Sequence, residues 1–383
     1  MADKTVVFGA GATGRGHVGL LAWQAGWELV FVDRNRALVE AIRRAGAYRV
    51  QLVGGCGQEL TVSGFRVYPH EERAAIAEEI AGAALVLTAV FDQNLPDVAR
   101  TIASAVPACI RAGRTAPLNC IACENMMDSS STLGAHVRAL LADSDRAWCE
   151  EHVGFPDCMI SRVVPRPEPD PLRIVAEDYN EWTVRAEAFR GVPPALAALE
   201  LVDNQTARLE RKLFLHNGGH AICGYLGFHR GHRHIHEAVA DPVVAEHVLG
   251  ALDEIGAVLR AKWGFDAESI ARYAADLCRR GAVPEMRDEI LRVVRDPLRK
   301  LSPRERLVAP AQLAGQRGLP RRWIVRGIVA ALRYQHPGDA QSQQLAAMLA
   351  ERGLRDTLCK VAGIERDSPL ATEIEAAWQD WRL

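Results

Sequence analysis

Thr5-Val6-Val7-Phe8-Gly9-Ala10-Gly11-Ala12-Thr13-Gly14-Arg15-Gly16 is the stretch that decides the fold. Residues 5–8 are β-branched and aromatic, the composition of a buried strand. The glycines at 9, 11 and 14 have the G-x-G-x-x-G spacing of a strand that turns tightly into a helix. Gly9 permits the turn, Gly11 lets backbone approach a pyrophosphate, and Gly14 lets the helix pack closely on the strand. Amides at the helix start supply an anion site, and Arg15 is counted with these cofactor-binding residues. Residues 17–26 read as the helix and 28–32 as a second strand ending at Asp33, 19 positions past Gly14. Three glycines alone are a weak signal; the strand before them, the helix after them and the acid make it specific. Asp33 accepts from ribose hydroxyls and repels a 2′-phosphate, so NAD is expected over NADP, with Arg34 softening that preference.

The second informative block is Arg211-Lys212-Leu213-Phe214-Leu215-His216-Asn217-Gly218-Gly219-His220-Ala221. An α-helix at roughly 100° per residue puts Asn217 about 140° and His220 about 80° around from Lys212. An amine, an amide and an imidazole on one face suit deprotonation and orientation of an alcohol. Each has an ordinary alternative: a lone helical lysine is commonly a solvated charge and a lone histidine a satisfied structural one. Gly218-Gly219 marks either a helix end or a close approach by another element.

Bulk properties narrow the class. The chain has 383 residues, 49% hydrophobic and 25% charged, with formal net charge −2. That length suggests two or three domains, and the charge argues against a nucleic-acid partner. No apolar run approaches the roughly 18 residues of a membrane span. The sequence enters its first strand without a secretory signal, and its nine scattered cysteines read as reduced thiols, so a cytoplasmic protein is expected. Cys120-x-x-Cys123 has no second pair at zinc spacing and reads as buried packing near a strand end.

Alternating strands and helices continue through residues 84–90 and 116–122, with shorter strands at 158–160 and 172–184 and a loop broken by Pro165, Pro167, Pro169 and Pro171. Beyond about 193 helices dominate: 195–201, 205–216, 242–259, 267–280, 287–295, 322–334, 340–351, 354–361 and 370–381. The expected fold class is α/β plus all-α, with a Rossmann-type dinucleotide-binding domain at 1–192 and a mainly helical substrate domain at 193–383.

With these pieces assembled, the chain resembles the polyol-specific long-chain dehydrogenases, the mannitol dehydrogenase family. Four blocks carry the match: the glycine fingerprint, Ala122-Cys123-Glu124-Asn125-Met126, the lysine block running on to Tyr225-Leu226-Gly227, and Asp296-Pro297-Leu298-Arg299-Lys300-Leu301-Ser302. The resemblance implies Lys212 as general base, Asn217 and Asn125 as amides that hold the developing alkoxide, and His220 as a residue orienting substrate. It implies no metal and a monomer. A lysine of reference pKa ~10.4 needs apolar or cationic surroundings to serve as a base near neutrality. Two departures, His216-Asn217-Gly218-Gly219-His220 in place of a Leu/Val-Asn-Thr-Gly-His form and Ala12-Thr13 in place of Asn-Ile, bear on substrate more than on chemistry.

Arg295, Arg299, Lys300, Arg304 and Arg306 form a basic cluster. It reads either as a sugar-phosphate site, with Arg299 and Lys300 the best candidates, or as a solvated helix face paired with Asp296 and Glu305. His229, His232, His234 and His236 read as surface residues of a loop entering a helix, not a metal site. The resemblance implies, as the expected reaction, NAD-dependent interconversion of mannitol 1-phosphate and fructose 6-phosphate. The alternatives are a free polyol or a hexuronate as substrate, or a non-catalytic NAD-binding regulatory protein. No Tyr-x-x-x-Lys occurs, which sets aside short-chain dehydrogenase chemistry.

Overall fold

The computed structural model describes residues 3–382 except 56, 127 and 165–168. Two compact units divide the chain, Met1–Arg208 and Leu209–Leu383. Cys56, Pro165 and Pro167 lie outside the described residues.

The strands of the first unit are β1 (Lys4–Phe8), β2 (Glu28–Asp33), β3 (Ala47–Val53), β4 (Glu59–Ser63), β5 (Arg66–Pro69), β6 (Leu85–Thr88), β7 (Leu118–Ala122), β8 (Val153–Gly154), β9 (Cys158–Ser161), β10 (Arg173–Glu177), β11 (Glu181–Arg185) and β12 (Glu200–Val202). The main sheet has the order β5-β2-β1-β6-β7-β8, and every pairing in it is parallel. Side chains alternate across β1: Val7 packs on one face with Phe31 and Tyr48, whereas Val6 and Phe8 pack on the other with Ile76 and Val86. Burial on both faces explains why β1 reads as an unbroken apolar run. Chain order reverses between β1 and β6, which opens a crevice at their carboxyl ends.

Two three-stranded sheets, β10-β3-β4 and β12-β11-β9, complete the unit. The expected helix at 195–201 is not formed; that stretch is a loop leading into β12, which pairs in parallel with β11. Pro193 and Pro194 stand immediately before it, and sheet pairing overrides the helix preference of its Ala and Leu residues. Pro169 and Pro171 occupy the turn before β10.

Glu79 ties the edge of the main sheet together. Its carboxylate accepts from Lys4 at 3.0 Å, from Arg66 at 2.6 and 2.8 Å and from Tyr68 at 2.9 Å. Burial pushes Glu79 up, but these donors outweigh it and hold the carboxyl at about 2, below its ordinary 4.5. A depressed folded pKa stabilises above the unfolded value and loses that effect as pH falls from about 4.5 towards 2. Glu79→Gln is therefore expected to cost about 2–3 kcal/mol at pH 7. Urea titrations at pH 7 and pH 3 check this: the gap between variant and wild type should narrow at the lower pH. An equal gap at both would remove the ionic account.

The second unit is helical. Gly219–His229, Pro242–Trp263 and Arg322–Leu332 contribute Ile222, Leu226, Leu252, Ile255, Ile324 and Ile328 to one core. Asp241 caps the long Pro242–Trp263 helix by accepting from Val243 N, and Gly264 ends it at φ +71°. The helices expected at 340–351 and 354–361 are the two arms of Ala340–Ala362, interrupted at Gly353 by a backbone of φ 74°, ψ 175°. Among the described residues no helix is long and apolar enough to cross a membrane.

Candidate active site

The crevice of the first unit is a cavity of about 310 Å3 lined by Gly9, Gly11, Asp33, His70, Phe91 and Asn94 among others. Gly9 sits at φ +94°, and a Cβ there would lie 2.3 Å from the Ala89 carbonyl oxygen. At Gly14 a Cβ would lie 1.7 Å from the Gly9 oxygen, whereas at Gly11 it would meet nothing within 4 Å. Gly9 and Gly14 are thus required by the fold, and Gly11 faces open space. Asp33 is oriented by Ala10 N on Oδ2 (2.7 Å) and Asn35 N on Oδ1 (2.8 Å), leaving a lone pair on each oxygen for a ligand hydroxyl. An open glycine cradle beside an oriented carboxylate fits a dinucleotide.

Arg15 and Gly14 are not among the cavity's lining residues. Arg15 is buried, donating from Nε to Ala10 O and from Nη1 to Pro171 O, each at 2.6 Å. Arg34 reaches from Nη1 to Asn94 Oδ1 (2.7 Å) and Asp97 Oδ2 (3.3 Å). Paired with Asp97 and Asn94 in this way, Arg34 is less available to a 2′-phosphate.

Glu124, within the Asn125 block, is buried. Its carboxylate accepts from Thr88 Oγ1 (2.6 Å), Val90 N (2.9 Å) and Phe91 N (2.9 Å). This fixes the end of β6, where Phe91 adopts φ 69°, ψ 147°. That conformation is essentially reserved for glycine and costs any other residue about 1–3 kcal/mol. Asn125 follows at the carboxyl end of β7.

In the second unit the lysine block differs from the expected α-helix. After the α-helix Gln205–Arg211 the chain forms a π-helix over Lys212–Gly218, then returns to α at Gly219–His229. A π turn bonds residue i to i+5, so Lys212 and Asn217 come onto one face, as i and i+4 do in an α-helix, and not 140° apart. Phe214, Leu215, Gly218 and Gly219 are buried; Lys212, His216, Asn217 and His220 are half-buried. The polar groups therefore share one stripe. Gly218-Gly219 does not end the helix. It admits neighbours, since a Cβ at Gly218 would be 2.9 Å from the Arg306 oxygen and one at Gly219 2.7 Å from Leu252.

His220 Nε2 lies 2.9 Å from Asp288 Oδ2. Arg292 donates to the other oxygen of Asp288 from Nε (2.9 Å) and Nη2 (2.5 Å). Burial pushes the Asp288 carboxyl up, but His220 and Arg292 hold it at about 2. An ionised Asp288 favours the proton on Nε2, leaving Nδ1 of His220 to accept. The His216 ring stands 6.0 Å from that of His220. Burial and then the charges of Arg280, His220, Lys212 and Arg306 push its pKa well down, so His216 is neutral.

Residues 3–198 match a family model described as the mannitol dehydrogenase Rossmann domain, and residues 206–381 match the mannitol dehydrogenase C-terminal domain. The chain belongs to the mannitol dehydrogenase family. Two solved structures share the fold of this family member. One is Pseudomonas fluorescens mannitol 2-dehydrogenase in a ternary complex with NAD and D-mannitol, 18% identical over 99% of this chain and 91% of that one, TM-score 0.76. The other is a D-sorbitol dehydrogenase in substrate-free form, 17% identical over 99% and 93%, TM-score 0.83.

The basic cluster of this mannitol dehydrogenase relative divides in two. Arg299 is half-exposed, with Glu305 at 3.5 Å and Asp296 at 4.0 Å, as a solvated face would have it. Lys300 is buried and donates to Arg295 O; burial and then Arg299 and Arg306 push its pKa down to about 7. The histidine run is spent on local structure: His229 on Ala330 O, His232 on Asp241, and His234 capping Ile235–Ala240 with Glu237. Cys120 is buried in the middle of β7 and Cys123 just past its end, and Cys158 brings its sulfur within 4.0 Å of Cys123. The eight described cysteines are free thiols. Sequence reasoning missed Asp288 as the partner of His220, Arg292 as the partner of Asp288, and Glu124 as the carboxylate that holds Val90 and Phe91. Glu124 was within reach, one position before Asn125, whereas nothing local marks Asp288 as the partner of His220.

Proposed function

We propose that this chain is an NAD-dependent polyol dehydrogenase that interconverts mannitol 1-phosphate and fructose 6-phosphate. The observation that carries the reading is the half-buried stripe of Lys212, His216 and Asn217 on one π turn and His220 just beyond it, with His220 oriented by an ionised Asp288. NAD held in the glycine cradle beside Asp33 would supply the hydride acceptor. Lys212 takes the hydroxyl proton, so loss of that proton and of the carbinol hydride leaves a carbonyl. Asn217 donates its amide N–H to the oxygen as charge develops there, and Asn125 as a second such donor is part of the proposal. His220, steadied by Asp288, accepts from a neighbouring substrate hydroxyl through Nδ1. Gly9, Gly11, Gly14 and Arg15 form or brace the cofactor turn, and Asp33 selects NAD.

The phosphate is assigned to the basic cluster, with Arg299 offering an exposed fork for its oxygens and Lys300 and Arg306 adding positive field. A second reading, a free polyol, is favoured by the burial of Lys300, which turns its amine towards a backbone carbonyl. Initial rates of NADH consumption with fructose 6-phosphate and with fructose separate the two. The phosphate is expected to be preferred in kcat/KM by at least about 100-fold, the value of two or more lost charge-assisted hydrogen bonds. Preference for free fructose would overturn the phosphate assignment.

A further inference from the structure

Phe91 is 74% exposed although it lines the cofactor crevice. Three separate costs converge on it. An aromatic ring is left in water, its backbone occupies a region suited to glycine, and a buried carboxylate, Glu124, is committed to holding Val90 N and Phe91 N. Asn94 adds a bond from its N–H to Phe91 O at 3.0 Å. Glycine would make this turn without strain, so the side chain itself is what the arrangement retains. The ring shares its cavity with Asp33, the acceptor for ribose hydroxyls, and with Arg34, which is tied to Asn94 and Asp97. A flat, π-faced base next to a ribose is the ligand chemistry that covers an aromatic ring in such a place.

We infer that Phe91 is a stacking platform for the adenosine half of the dinucleotide, held in place by Glu124. The inference rests on the cofactor reading above and names a residue that the glycine fingerprint does not contain. Calorimetric titration of the full chain with NADH and with ADP-ribose, which lacks the nicotinamide, tests it. Phe91→Ala and Phe91→Gly are each expected to weaken both ligands by about 10-fold, the loss expected for one base–aromatic stack. Phe91→Tyr should stay within about twofold of wild type, because it keeps the ring. Thermal unfolding supplies a readout independent of binding: Phe91→Gly should melt about 2–6 °C above Phe91→Ala, since only glycine releases the backbone.

Wild type that binds both ligands while the variants bind equally well would overturn this inference and leave the cofactor reading standing. Weakened NADH with unchanged ADP-ribose would move the contact to the nicotinamide and overturn the adenosine assignment. Equal melting of the glycine and alanine variants would overturn the strained-platform account. A wild-type chain that binds neither ligand would overturn the cofactor reading, and this inference with it.

Discussion

Lys212→Ala is expected to lower kcat by about 10^2–10^4-fold, the usual contribution of a positioned general base, and to leave NADH affinity within about twofold. The side chain begins the π turn and shares the half-buried stripe with Asn217 and His220. Its neighbours Phe214 and Leu215 are buried and His216 is neutral. Removing the amine therefore deletes the proton acceptor without unpicking the core. The residues proposed for the cofactor belong to the first unit, so binding should persist. Single-turnover hydride transfer together with NADH titration distinguishes the steps. Turnover within tenfold of wild type would remove Lys212 as the base.

Gly14→Ala should have the second largest effect, and on folding as much as on binding. The added methyl would stand 1.7 Å from the Gly9 carbonyl oxygen. That atom belongs to the backbone, and Gly9 N is itself bonded to Val32 O at 2.7 Å. The turn cannot yield without moving β1 against β2. A loss of about 3 kcal/mol is expected, at the upper end for overpacking, seen as melting about 6–10 °C lower. NADH affinity should fall roughly 100-fold as the anion site is displaced. Gly11→Ala is the control, because its methyl meets nothing within 4 Å: the melting temperature should hold while affinity drops. If Gly14→Ala melts and binds like wild type, the close packing at this turn is refuted.

How much was legible follows from how local each constraint is. Residues 5–33 were read well because strand, turn, helix and acid all lie within one crossing, and each glycine has a steric reason. The sheet β10-β3-β4 was not, because Arg173–Glu177 pairs with residues more than a hundred positions earlier, and distant pairing leaves no mark in either segment. Residues 195–201 show the opposite failure, a helix-prone composition captured by a neighbouring strand. The lysine block was read as one polar face, and the residues do share one. Its π geometry was invisible, since α and π turns draw on the same residues. Asp288 escaped for the same reason as β10: it lies 68 positions beyond His220, and the two meet only in the folded chain. The strand at 84–90 places Phe91 at the mouth of the cofactor crevice, as found, but its positive φ left no local mark because it is imposed from outside, by Glu124.

The π turn also decides what it would take to transplant this chemistry to another scaffold. Copying Lys212, Asn217 and His220 onto a regular α-helix at the same spacing would splay the first two groups, because five residues then overshoot a turn. The motif is portable only as a piece of backbone. A designer would carry over the widened turn with the flanking glycines that let other elements press against it, or else shorten the Lys–Asn interval by one residue to suit the narrower helix.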